Sequence, residues 1–138
     1  MTLTLSSSAF AQAQKTLSPF TDMQFGWIPI RGDFIEITIP KRLDNSKTHY
    51  LIEVEGMDYK DILAQAKARY GKDKYKCQLS RKFVETMADL GVVITDDKVN
   101  LKVYQFSFSH KLFDLEDVVL TERNQKRLIS NTEDYCED

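Results

Sequence analysis

The sequence predicts an α+β protein: one domain with a mixed or antiparallel sheet of about five strands, packed with three to four helices. Three observations point there. Period-two stretches such as FIEITI come in consecutive runs and do not alternate strictly with helices. Two stretches, DYKDILAQAKARYG and RKFVETMADLG, carry apolar residues at helical spacing. The chain has 138 residues, of which 42% are apolar, with eight Phe, six Tyr and one Trp, which is enough for one core. Residues 1–130 are expected to form the globular unit, and 131–138 an acidic, flexible tail.

The elements follow in order. Ser8 can cap a helix from Ala9 to about Leu17, stopped by Pro19. FGWIPI reads as a strand, with Pro29 placing it near an edge. Arg31-Gly32 turns it into a second strand, Phe34 to Ile39, in which Glu36 and Thr38 alternate with apolar positions. RGD here is turn chemistry rather than an adhesive tripeptide. After the polar loop KRLDNSKT comes a third strand, Tyr50 to Glu55, ended by Gly56. Asp58 starts the first strong helix; Ile62, Leu63, Ala66 and Tyr70 share a face, and Gly71 stops it.

Ser80 is placed to cap the second strong helix, with Phe83, Val84, Met87 and Leu90 on its apolar side and Gly91 at its end. VVIT, a turn at Asp96-Asp97, and VNLKVYQFSFS read as strand, turn and long strand. In the long strand Leu101, Val103, Gln105 and Ser107 alternate with Lys102, Tyr104, Phe106 and Phe108. The second set holds the bulky aromatics and is expected to face the core. Leu112, Leu115, Val118 and Val119 predict a short amphipathic helix, and the chain is expected to fray beyond Ser130.

The charge map is lopsided although the total is only −2. Residues 67–82 carry seven bases against the single Asp73, whereas residues 114–138 carry eight acids and three bases. Clustered cations release counterions when they neutralise phosphates, and flat side chains stack on bases. Lys67, Arg69, Tyr70, Lys72, Lys74, Tyr75, Lys76, Arg81 and Lys82 are therefore candidate nucleic-acid contacts on a basic connector between two helices. The competing expectation is a solvated lysine-rich loop, or one docked on the chain's own acidic end. In the acidic segment, Phe113, Asp114, Glu116 and Asp117 are candidate contacts for a basic protein partner.

Catalytic motifs are few. The order helix, three strands, helix, strand resembles that of restriction-endonuclease-like nucleases, which hold Mg²⁺ with an Asp near one strand and Glu-x-Lys on the next. That resemblance covers residues 8 to about 78 and makes Asp33, Glu53 and Glu55 candidate metal ligands. The lysine is replaced by Glu55, so the hydrolytic set is incomplete. The helix beginning at Ser80 and the ribbon after it also match the latter half of a winged helix, in which Arg81, Lys82 and Glu85 would face DNA. His49 and His110 are expected at the surface and in no metal motif. GxSxG, a P-loop and a dinucleotide fingerprint are absent, so no cofactor and no small-molecule substrate is expected.

Cys77 and Cys136 are read as two reduced thiols of a cytoplasmic protein. The N-terminal MTLTLSSSAFAQAQ lacks the basic and apolar regions of a signal peptide, and no run is long enough to cross a membrane. The expectation is a small non-enzymatic protein that contacts nucleic acid through the basic connector as an accessory or regulatory subunit. Its first alternative is a protein-binding inhibitor or adaptor module. The second is a degenerate or metal-dependent nuclease-like fold.

Overall fold

The computed structural model describes residues 16–136. The helix expected from Ala9 lies almost wholly outside them. Strand β1 (Asp22–Ile28) turns through Pro29–Arg31 into β2 (Gly32–Thr38), and the two pair antiparallel along their whole length. β3 (Thr48–Val54) follows the polar loop and returns in β4 (Met57–Asp58) through Glu55-Gly56. Both turn residues have positive φ, 48° and 84°, as a two-residue hairpin of this twist requires.

Helix α1 (Tyr59–Tyr70) matches its sequence signals: the Asp58 carboxylate accepts from the Lys60 amide at 2.8 Å, and Gly71 ends it at φ 91°. Two short helices come next, α2 (Tyr75–Arg81) and α3 (Phe83–Asp89). The chain then forms β5 (Lys98–Phe106), β6 (Lys111–Val119) and α4 (Glu122–Asn131). The described residues thus make one antiparallel sheet of six strands with four helices, a single-domain α+β arrangement. Strand order is β1-β2-β3-β5-β6, with β4 beside β3.

One core holds the molecule together. Met23, Ile35, Ile37, Leu51, Val54, Leu101, Val103, Leu115 and Val118 project from one face of the sheet. They meet Ile62, Leu63 and Ala66 of α1, Tyr75 and Leu79 of α2, Phe83 and Met87 of α3, and Leu128 of α4. Among the described residues the helices cover this face alone and leave the other side of the sheet open.

Several expectations are corrected. Ser80 caps no helix: it lies inside α2, fully buried, and its hydroxyl donates to the Lys76 carbonyl at 2.9 Å. Much of the basic connector is therefore helical. VVIT pairs with no strand; Val92 and Ile94 pack on the core while Val93 points out, so the alternation is present without a ladder.

The helix expected around Leu112–Val119 is strand β6. Its register on β5 jumps from Leu101↔Leu115 to Val99↔Val118, a bulge in which Asp117 takes φ 53°. The bulge puts Leu115 and Val118 on the same side three residues apart, which imitates helical spacing. Beyond it, Thr121 caps α4 by accepting from the Asn124 amide at 3.0 Å.

Residues beyond Ser130 pack on the fold as far as Cys136. Thr132 and Cys136 are buried, and the Tyr135 hydroxyl donates to the Met23 carbonyl. Asn131 donates to the Thr21 carbonyl at 2.7 Å, so this segment runs along β1 and shields that edge of the sheet. Cys77 and Cys136 form a disulfide with Cα atoms 5.3 Å apart, which overturns the expectation of two reduced thiols.

Candidate functional site

The basic connector does not present its candidates together. Tyr75 is buried, its ring 6.1 Å from that of Phe25, so it cannot receive a base. Burial, and then the Asp33 carboxylate, push its phenol pKa up. The Tyr70 hydroxyl donates to Asp89, and Arg69 pairs with the same carboxylate at 3.7 Å. Lys67 lies 4.0 Å from Asp33. The Arg81 guanidinium donates to Thr132 Oγ1 and to the Ile129 carbonyl, both at 3.1 Å, tying α2 to the end of α4. Lys72, Lys74 and Lys82 remain exposed, and Lys76 is half-buried beside the Tyr75 ring.

The three acids do not converge. Asp33 turns to α1 and Lys67. Glu53 pairs with Lys102 across the β3–β5 ladder at 3.8 Å. Glu55 is a turn residue whose carboxylate accepts from the Asn100 amide at 2.6 Å. Among the described residues no group of three or more His, Cys, Asp or Glu side chains could hold a metal ion. His49 is buried, not at the surface, and its Nε2 lies 3.2 Å from Gln105 Oε1.

In the acidic segment, Phe113 turns inward beside His49, while Asp114 and Glu116 are exposed on β6. Arg42 donates to the Glu116 carbonyl at 2.9 Å and so caps part of that edge. The winged-helix pattern is also absent: VVIT forms no ribbon with β5, which pairs instead with β3 and β6, and Arg81 is committed to α4.

What the structure does assemble lies on the open face. The long strand faces the opposite way from expectation: Leu101, Val103 and Gln105 are buried, while Phe106 is 52% exposed and Tyr104 half-buried. The register places Glu36 beside Tyr50, Tyr50 beside Tyr104, and Tyr104 beside Leu112. Rings therefore run across neighbouring strands. Phe34 meets Tyr50 edge-on at 5.2 Å, and Tyr50 and Tyr104 lie nearly parallel with centroids 6.3 Å apart. Tyr104 stacks on His110 at 5.7 Å and is hydrogen-bonded to its Nδ1. The Arg31 guanidinium, from the β1–β2 turn, lies 5.7 Å from the Tyr104 centroid.

These rings border a groove of about 340 Å³ lined by Ile28, Phe34, Ile52, Tyr59, Phe106 and their neighbours. Burial, and then the Glu36 carboxylate, raise the Tyr50 pKa, so its phenol stays protonated and able to donate. The arrangement offers ring faces, edges and one cation.

No protein-family model, no curated protein and no solved structure matches the chain.

Sequence reasoning missed Phe34, Tyr50, Tyr104 and Arg31 as one surface. The available signal was that β2, β3 and β5 each carry an aromatic residue, Phe34, Tyr50 and Tyr104, in the set that alternates with their core aliphatics. The aliphatic sets of these strands can share one face only if those aromatic residues share the other.

Proposed function

We propose that this protein is a non-enzymatic binding module whose recognition surface is the open face of its sheet. The observation that carries this reading is the row of rings Phe34, Tyr50, Tyr104 and His110, left uncovered by the helices and flanked by exposed Phe106. A contiguous row of rings that reaches solvent is unusual on a surface with no partner, and such rings are the preferred anchors of binding sites. The disulfide supports work in an oxidising compartment rather than the cytoplasm, because thiols are kept reduced in the cytosol. Titrating isotope-labelled protein with indole tests the reading. Amide shifts confined to β2, β3 and β5 support it; shifts centred on the helices, or none at millimolar indole, reject it.

Nucleic-acid contact through the connector stays as a second reading, favoured by the exposure of Lys72, Lys74 and Lys82 around one corner. It predicts retention on heparin that falls steeply with salt and is lost when all three lysines become Glu. Unchanged retention of that variant excludes it.

A further inference from the structure

We infer that the open-face groove takes a small ligand with a flat ring body and a single carboxylate, the carboxylate being held by Arg31. The inference rests on the open face being the recognition surface and adds the ligand's chemistry. The groove is lined by Ile28, Phe34, Tyr50, Ile52, Tyr104 and Phe106, among others, and Arg31 is the one charged lining residue among the described residues. At about 340 Å³ it is at the small end of ligand sites.

No carboxylate partner of Arg31 is found among the described residues, where its contact is the Tyr104 ring. A guanidinium over a ring face makes no hydrogen bond to it, so the N–H fork in its own plane is left for a carboxylate, which it matches in a bidentate pair. One guanidinium suits one carboxylate; a phosphate dianion would call for further cations, and the lining supplies none. Glu36, opposite Tyr50 in the register, adds a negative charge beside that ring, which disfavours an anionic group there and favours one at Arg31. The body of the ligand then lies against Tyr104 and Phe34, where stacking and edge contacts are both available.

The test compares indole-3-acetate with its neutral isostere indole-3-acetamide, by calorimetry and by amide shifts, on wild-type protein, Arg31→Gln and Tyr104→Ala. Arg31 lies in an exposed turn, so its replacement leaves the core intact. The acid should bind wild type about tenfold more tightly than the amide, as a charge-assisted pair at a partly exposed site provides. Arg31→Gln should erase that preference while the amide's affinity holds, and Tyr104→Ala should weaken both. Equal binding of acid and amide by wild type, or a preference that survives Arg31→Gln, overturns the carboxylate assignment but leaves the open face as a binding surface. Absence of binding by either compound overturns both.

Discussion

Gly26 shows how single residues build the open face. It sits opposite Phe34 in the β1–β2 register, and a Cβ there would fall inside the Phe34 ring. The ring lies over bare backbone, a cross-strand arrangement in which an aromatic covers a strand glycine. Gly26→Ala should therefore displace Phe34 and cost about 1–3 kcal/mol through overpacking. A urea unfolding curve reads that cost, and an unchanged midpoint would contradict the packing. Tyr135 makes a second case. Burial pushes its pKa up to about 12. The folded state then holds a proton that the unfolded chain, with a phenol pKa near 10, gives up. The stabilisation is complete below about pH 10 and is lost as pH rises toward 12. Tyr135→Phe should flatten the alkaline fall in stability over that window; an identical slope would place the cause elsewhere.

At the scale of elements, the disulfide joins α2 to the segment after α4 across 59 residues of sequence. Closing a loop of that length removes chain entropy from the unfolded state worth about 4 kcal/mol. Reduction, or Cys77→Ser with Cys136→Ser, should lower unfolding stability by up to that amount. It should also loosen the Tyr135 contact with Met23 before the sheet melts; equal stability in both redox states would refute the role. The elements differ in how far they could be read from sequence. Helix α1 was legible because its signals are local: the Asp58 cap, the Gly71 stop and an apolar face in between. β6 was not, because the Asp117 bulge gives a strand the spacing of a helix. α2 was hidden because its seven residues carry no capping side chain. The disulfide joins positions that only the folded chain brings together.

For the whole molecule, the claim is that four helices cover one side of a six-stranded sheet and leave an aromatic side open. The fold class was readable from the period and order of the apolar runs. The face of β5 was not, since both of its alternating sets are apolar enough for a core. Leu51, Ile35 and Val54 on neighbouring strands decide the matter by drawing Leu101 and Val103 to their own side. The same fact moved the candidate site. Charge density drew attention to residues 67–82, but the fold spends Arg69, Arg81 and Tyr75 on internal contacts. The proposed recognition surface lies on the opposite side of the core from them. Relaxation of side-chain protons by a neutral gadolinium chelate dissolved with the protein measures this directly. The account predicts strong relaxation at the rings of Phe106, Tyr104 and Phe34 and protection of Val103 and Leu101. Protected rings on β2, β3 and β5, or relaxed methyls of Val103 and Leu101, would contradict it.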